Sequence, residues 1–523
     1  MVPIVVVVLY MLAVLSIGIY TRRRRIGETG EGYLLGERRI GPCVTAFTHQ
    51  STSMSGYMFL GAGSMVYQQG TYGLWFGAGD VWGGPIDFSV LGRRLRRFTK
   101  LTGALTPIEF LEKRYPWPAV RWVGAIVAVL ALWLYVCAQT VAGGKGLSLV
   151  TGLPYGMCAG IGLAVIVAYT FLGGYYAVAW TDFLQGCVML IGIQATLWAA
   201  FAAVGGWGGF VSGIAAKDPT LLGLWGPGNM YKGAWGLVIG ALLLWSIGYM
   251  GWPHVIVRNM AIDKASDIRP AAVWSYFYNL IFVISPYLIG LCAIVLLPAL
   301  KDPEMAIFET SHLLLPPVIF GIAMAGVMAA IMSTADSLLL QSGSVFARDI
   351  YQRFINPKAS DKGLVSSTRW TILIMAVIVA VVAIIQPPAV FAAVVFVSDI
   401  LMASFLPVVV IGLYWKRMNK YGALSSMVVG AIVTMVWTLA DLAVVTSISS
   451  GLTGMICSAV VLIVVSLLTP PPSKEVVEAL ELATSLEPLP GEIEKKAEKT
   501  LAPEAKYVTA FINERVLEGA FAV

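Results

Sequence analysis

Charged residues are scarce in this chain. Only 12% of its 523 residues are Asp, Glu, Lys or Arg, whereas 58% are hydrophobic. Soluble globular proteins carry about 25% charged residues, so this composition excludes an ordinary soluble fold. We therefore expect an all-α, multi-pass membrane protein.

Motifs of catalysis and metal binding are also missing. The three histidines lie far apart at positions 49, 254 and 312, and the chain has no GxSxG, HExxH or Walker A motif. The six cysteines form no CxxC pair, which argues against a disulfide framework or a metal cage. We expect a protein that is not an enzyme and has no obligatory protein partner.

Thirteen apolar runs are long enough to cross a bilayer as helices. We number them spans 1 to 13, with predicted extents 2–20, 42–68, 73–92, 119–141, 152–172, 180–203, 233–257, 271–299, 313–343, 369–386, 389–414, 421–446 and 450–468. Span 1 has no basic segment before it and no cleavage site after it, so we interpret it as a retained extra helix, 1–20. Residues 469–523 are rich in proline and mixed charges, which predicts a solvated tail.

Positive charge is concentrated in alternate loops. The loops at 21–41, 93–121, 258–269, 348–369 and 416–420 contain 25 of the 35 Lys and Arg residues. Because positively charged loops stay in the cytoplasm, the N-terminus is predicted outside the cell membrane and the tail inside. The net charge of +6 is then a topology signal, and we expect no nucleic-acid partner.

Two spans depart from the pattern of a continuous helix. Span 2 contains the polar stretch "THQSTSMSG", and span 7 contains Gly248, Gly251 and Pro253. Non-helical backbone at membrane depth is tolerated where it lines a cavity or is enclosed in protein. The two spans are five apart, which predicts two inverted five-helix repeats, 42–203 and 233–414, followed by two helices over 421–468. The alternative is two ordinary kinked helices.

Span 9 contains the stretch "AAIMSTADSLLLQSG". On a helix, Ala330, Ser333, Thr334 and Ser337 share one face, and Asp336 lies at its edge. Hard oxygen donors of this kind suit Na⁺ better than zinc or iron. The alternative is that the hydroxyls bond back to carbonyls of their own helix.

Carboxylates inside spans are costly and usually functional. Asp182 opens span 6, where capping of that helix is the alternative to a functional role. Asp87 lies near the cytoplasmic end of span 3, where it could pair with Arg93 or Arg94.

Six motifs carry a resemblance to a known family: "RRIGPCVTAF", "STSMSG", "LGGYYAVAWTDFLQG", "WSIGYMGWPHVIVRNMA", "AAIMSTADSLLLQSGSVFARDIY" and "FLPVVVIGLYWKRMNKYGA". They resemble the sodium:solute symporter family, and most closely its sodium/proline symporters. The resemblance extends from about residue 30 to residue 430. It implies a LeuT-type 5+5 inverted repeat with about thirteen transmembrane helices.

The resemblance also implies ion sites. A sodium ion would be bound by the backbone carbonyls of Ser51, Met54 and Ala330 and by the hydroxyls of Ser333 and Thr334. Some members have a second sodium position further inward, and the matching residues here are Asp182, Ser333, Asp336 and Ser337.

The solute is expected at the two helix breaks. The candidate substrate-binding residues are Ser53, Ser55, Gly56, Trp245, Tyr249 and Pro253. An apolar surface beside exposed backbone amides suits a small solute with one carboxylate. The alternative is that Trp245 and Tyr249 are packing residues.

The implied function is a sodium-coupled symporter that imports proline or a related amino acid by alternating access. Two departures bear on the solute, because proline symporters usually carry Asp at the position of Ser53 and Gln at that of Trp252. A monocarboxylate or a pantothenate-like acid is therefore an alternative. Proton coupling through Asp182 or Asp336, and a membrane sensor with a transporter fold, are further alternatives.

Overall fold

The computed structural model describes residues 1–23, 27–385 and 390–485. Nine helices within these ranges are long and apolar enough to cross a membrane. They are Val2–Arg23, Pro118–Thr151, Tyr155–Ala203, Ala265–Leu296, Pro317–Ile355, Asp361–Ile384, Val390–Tyr414, Lys420–Leu439 and Ser450–Leu468. The predicted all-α, multi-pass class is confirmed.

Three of the predicted spans are made of shorter segments, and two others share one long helix. Spans 2 and 7 consist of the pairs Pro42–Ser53 with Gly63–Gln69 and Trp235–Ser246 with Pro253–Ala261. Span 3 consists of Leu74–Asp87 and Phe88–Gly92, and the chain continues beyond its predicted end as the basic helix Arg93–Thr102. Spans 5 and 6 together form Tyr155–Ala203, which is kinked at Gly174. The predicted count of about thirteen spans therefore agrees with the structure.

Shorter segments complete the chain. Surface and connecting helices are Gly30–Leu35, Pro107–Arg114, Gly206–Lys217, Ala306–Leu314, Leu442–Thr446 and Lys474–Thr484. Single turns of 3₁₀ or π-helix include Tyr57–Ala62, Phe88–Gly92, Gly248–Gly251 and Pro303–Met305. The predicted end of span 10, the start of span 11 and the tail beyond residue 485 lie outside the described residues.

The three main interruptions have local causes. Met54 ends the first half of span 2 with φ −83° and ψ 68°, which is not a helical conformation. Trp252 is extended (φ −95°, ψ 111°) because the residue before a proline is excluded from the helical region, and Pro253 then starts the second half of span 7. Gly174 has φ 59°, and a Cβ there would lie 2.8 Å from the Tyr33 carbonyl oxygen. Only glycine adopts this backbone without strain.

Backbone contacts join the two interrupted spans at one end. Ile40 and Ile262 form a single parallel bridge, in which the Asp263 amide donates to the Ile40 carbonyl at 3.0 Å. The guanidinium of Arg38 donates to the Met260 carbonyl at 2.9 Å. The entry to span 2 is therefore fixed to the exit from span 7, which brings their breaks together.

Candidate functional site

The break in span 2 lies against span 9. The Ser333 hydroxyl donates to the Ser51 carbonyl at 2.8 Å, and the Thr334 hydroxyl donates to the Thr52 carbonyl at 2.7 Å. Both hydroxyls also lie close to the Ala330 carbonyl, at 3.2 and 3.1 Å. All five residues are buried. Carbonyl and hydroxyl oxygens therefore converge where the sequence predicts a sodium ion.

Four of the five predicted sodium ligands lie close together. Ser51, Ala330, Ser333 and Thr334 are brought together. Met54 is the residue at which the helix ends, and its amide donates to Gln50. Uncharged hard oxygens suit Na⁺. The hydroxyls can offer lone pairs to an ion if their hydrogens rotate away from the carbonyls.

The second predicted ion group contains a buried guanidinium. Arg258 donates to the Asp182 carboxylate at 3.3 Å, to the Thr52 hydroxyl at 2.7 Å and to the Ser337 hydroxyl at short range. Thr48 donates to the same carboxylate. Asp182 lies inside the helix Tyr155–Ala203, so it does not cap it. A cation from the protein itself therefore occupies the centre of this group.

Asp336 borders this cluster, because its carboxylate also interacts with the Ser337 hydroxyl. Its carboxylate accepts a hydrogen bond from the Tyr169 hydroxyl at 2.6 Å. The side chain thus points toward span 5, whereas Ser337 contacts Arg258. Asp182, Asp336 and Ser337 of the predicted second sodium group are therefore near neighbours, with the Arg258 guanidinium among them.

Aromatic side chains surround the two breaks. Tyr57 and Trp245 stack with ring centroids 4.3 Å apart, and Tyr249 meets Trp252 edge to face at 4.5 Å. Pro253 follows directly at the start of the second half of span 7. The predicted residues Trp245 and Tyr249 are thus part of one aromatic cluster that joins both breaks, and Pro253 is the next residue after Trp252 of this cluster.

The other predicted solute residues line the break of span 2. The Gly56 amide donates to the Gln139 side-chain oxygen at 2.9 Å, and the Tyr135 hydroxyl donates to the Ser55 hydroxyl at 3.2 Å. The Ser53 hydroxyl donates back to the His49 carbonyl at 2.8 Å. Ser55 and Gly56 therefore meet span 4, whereas Ser53 is bonded within its own helix.

Several buried donors near the breaks have no hydrogen-bond partner within the described chain. They include Nε1 of Trp245, Nε1 of Trp252 and Nε2 of Gln139. Buried N–H groups are normally satisfied, so unpaired donors in one region indicate a place for a ligand acceptor such as a carboxylate.

Two further carboxylates are tied to the same helices. The Tyr249 hydroxyl donates to Asp80, and Asp87 contacts Nε2 of His49 at 3.0 Å and Nδ2 of Asn259 at 2.7 Å. The expected pairing of Asp87 with Arg93 or Arg94 is wrong. Those two arginines reach backbone carbonyls of Ser485 and Leu413 instead.

Sequence reasoning missed several residues of this region: Tyr57, Gln139, Tyr135, Arg258 and Asn259. Gln139 carried a usable signal, because it is an isolated amide within an apolar span. The sequence pattern places Arg258 in the loop 258–269, yet its side chain is only 1% exposed. The predicted span 7 ends at residue 257, whereas its second helix continues to Ala261 and includes Arg258.

Solved structures show the same fold. A Na⁺-coupled sialic acid symporter, in a substrate-bound outward-open state, aligns with a TM-score of 0.76 over 91% of this chain and 99% of its own, at 18% identity. Mhp1, a nucleobase-cation-symport-1 family transporter, aligns with a TM-score of 0.54 over 86% of this chain and 97% of its own, at 15% identity. The predicted LeuT-type fold is confirmed.

Curated relatives extend over nearly the whole chain. The osmoregulated proline transporter OpuE of Bacillus subtilis is 34% identical over 89% of this chain and 94% of its own. The high-affinity proline transporter PutP of the same organism is 33% identical over 89% and 98%, and a sodium/proline symporter of Staphylococcus aureus is 32% identical over 90% and 93%. The model of the sodium:solute symporter family matches residues 33–430. The chain therefore belongs to the sodium:solute symporter family.

Proposed function

We propose that this protein imports proline or a related small amino acid together with Na⁺, by alternating access. Sodium is the coupling ion of its family, and the relatives named above are proline transporters. The observation that carries the proposal is the meeting of the Ser333 and Thr334 hydroxyls with the carbonyls of Ser51 and Thr52.

The chemistry of this group favours sodium over a proton. Carbonyl and hydroxyl oxygens bind a hard cation, but they do not accept a proton near neutral pH. The nearest carboxylate in the hydrogen-bond network, Asp182, is bonded to Arg258 and Thr52. Proton coupling through Asp182 would need to break this ion pair.

The solute region suits a small molecule with one carboxylate and an apolar body. The unpaired N–H groups of Trp245 and Gln139 are hydrogen-bond donors for a carboxylate. The stacked rings of Tyr57 and Trp245 offer apolar surface to a pyrrolidine ring or a short aliphatic chain. A monocarboxylate or a pantothenate-like acid shares the carboxylate and is the alternative solute.

Alternating access follows from where the ion binds. The site joins span 2 of the first proposed repeat, 42–203, to span 9 of the second, 233–414. A sodium ion held between them links the relative position of the repeats to the solute region at the breaks. We propose that the N-terminus lies outside and the tail inside, so that each positive charge entering through 100 mV supplies about 2.3 kcal/mol.

Uptake into proteoliposomes tests this proposal. An inward sodium gradient should drive accumulation of labelled proline, and excess unlabelled proline should compete more strongly than lactate or pantothenate. A pH gradient in sodium-free buffer serves as the comparison. Accumulation driven by that gradient alone would overturn sodium coupling, and stronger competition by a monocarboxylate would overturn the amino-acid substrate.

A further inference from the structure

A cavity of about 740 Å³ lies outside the transport site. It opens where span 1 ends, span 5 ends and span 10 begins, at the end of the molecule that we assign to the cytoplasm. Both Val2–Arg23 and Asp361–Ile384 pack against Tyr155–Ala203 there. Neither the ion site nor the solute region includes any residue of this cavity.

The cavity is strongly basic. Among the described residues, Arg22, Arg23, Lys362 and Arg369 line it together with Glu28, which gives four basic side chains, one acidic side chain and a net charge of +3. Arg22, Arg23 and Lys362 are exposed to solvent. Basic side chains gathered in one concave site attract an anion.

Hydrogen bonds orient the Arg369 guanidinium but do not neutralise its positive charge. Its guanidinium donates to the carbonyls of Phe171 and Leu172, at 2.9 and 3.4 Å. It also lies over the rings of Tyr33 and Phe171, at 5.1 and 5.5 Å. Carbonyls and aromatic faces orient a guanidinium but carry no net charge. An ordered positive charge therefore borders the cavity.

An apolar stripe begins beside these charges. Trp370 lines the cavity, and Trp370, Ile374, Val377 and Val381 follow one face of the same helix at spacings of four, three and four. Each is between 57% and 59% exposed. Tryptophan is enriched at the level of lipid headgroups, and an exposed apolar stripe on a membrane helix faces acyl chains. The neighbouring surface thus suits a ligand with an anionic head and a hydrocarbon body.

We propose that this cavity binds the headgroup phosphate of an anionic phospholipid from the cytoplasmic leaflet. The phosphodiester accepts hydrogen bonds from the basic side chains, and an acyl chain runs along the stripe from Trp370 to Val381. Basic pockets between membrane helices on the cytoplasmic side suit such headgroups. A free phosphate would use the charges but would leave the apolar stripe without a role.

Thermal unfolding of the purified full chain in detergent tests the proposal. Phosphatidylglycerol should raise the unfolding temperature in a saturable manner, and phosphatidylcholine should not. The double variant Arg23→Gln with Lys362→Gln removes two charges and leaves the carbonyl bonds of Arg369 intact. We expect it to bind phosphatidylglycerol roughly thirtyfold more weakly, because each basic residue near the membrane surface contributes about fivefold.

A matched control removes two charges elsewhere on the same side. Lys264 and Arg269 are exposed and lie outside the cavity. The double variant Lys264→Gln with Arg269→Gln should stay within about twofold of the unmodified chain. An equal loss in both double variants, or an equal response to phosphatidylcholine, would overturn the proposal. Equal stabilisation by glycerol 3-phosphate would also overturn it, in favour of a soluble anion. Sodium-driven uptake is measured separately, so the outcome does not depend on the proposed function.

Discussion

Ser333 and Thr334 combine two roles that the sequence presents as alternatives. Each hydroxyl lies near the carbonyl of Ala330 in its own helix and also donates to a carbonyl of span 2. Back-bonding within the helix orients the hydroxyl, and the contact with span 2 adds oxygens from a second element. A sodium ion bound there would join the two spans directly.

Loss of one of these hydroxyls should weaken sodium binding. We expect Ser333→Ala, and separately Thr334→Ala, to raise the sodium concentration for half-maximal uptake about tenfold, because one ligand to a charged group is lost. Ser342→Ala is the control, since Ser342 is buried in the same helix and bonds only to the Leu338 carbonyl. Sodium titration of uptake measures the effect, and an unchanged requirement in both variants would contradict the predicted ligands.

Arg258 bears on the number of sodium ions. With the guanidinium bonded to Asp182 and Ser337, we expect sodium activation of the unmodified chain with a Hill coefficient of about 1. Arg258→Gln leaves a buried carboxylate without its cation, and a second sodium can then replace it, which would raise the coefficient toward about 2. Arg258→Lys keeps the charge and should keep the original value. A coefficient near 2 in the unmodified chain would instead support a second sodium beside Arg258.

The helix Lys474–Thr484 is packed against the membrane unit, although its composition predicts a solvated segment. The sequence predicts a solvated tail, but Val476, Leu480 and Ala483 are buried, and this helix packs against the helix Arg93–Thr102. Arg97 donates to the carbonyls of Ala483 and Leu482, at 3.1 and 2.9 Å. Cations at a helix C-terminus stabilise its last carbonyls. The described part of the tail is therefore docked.

Undocking this helix should be measurable by amide hydrogen exchange. Leu480→Asp places a charge in the buried face, and we expect exchange across 474–485 to accelerate roughly thirtyfold, because burial of a leucine contributes about 2 kcal/mol. Leu482→Asp is the matched control, since Leu482 is 43% exposed on the same helix. Equal acceleration in both variants would show that the packing of Leu480 is not what holds the helix.

At the scale of the whole molecule, basic residues on which the topology prediction rests also form ion pairs between distant parts of the chain. Arg121 donates to Asp349 at 2.7 Å and to Glu112 at 2.8 Å, and Arg348 forms two hydrogen bonds with Glu109. This ionic cluster joins the loop before span 4 to the end of span 9. Basic residues that predict the orientation of the chain are thus also used to fix two distant spans to each other.

The cluster predicts how stability depends on pH. Burial raises the pKa of Glu109, but hydrogen bonds from Arg348 and the charges of Arg348 and Arg121 outweigh it, so the pKa lies below its ordinary value of 4.5. A carboxyl with a lowered pKa stabilises the fold above its ordinary value and loses this effect as the pH falls through the folded value. Glu109→Gln should therefore cost about 2 kcal/mol at neutral pH.

Thermal unfolding across pH checks this expectation. The difference between Glu109→Gln and the unmodified chain should be largest near neutral pH and shrink as the pH falls below 4.5. Glu37→Gln is the control, because Glu37 pairs with an exposed arginine and should have little effect. A difference that stays constant down to the lowest pH would show that Glu109 acts through packing, not through its charge.

Local patterns were sufficient for the spans, the break before Pro253 and the hydroxyl face of span 9, because hydrophobic runs, proline and helical spacing act over a few residues. The division at Gly174 and the motifs of the family also lie in short stretches of sequence. The partners of Arg258, Asp87 and Asp336 were decided by tertiary packing alone. A buried charge must be compensated, but its partner comes from whichever helix the fold places beside it, and Arg258 and Asp182 are 76 residues apart.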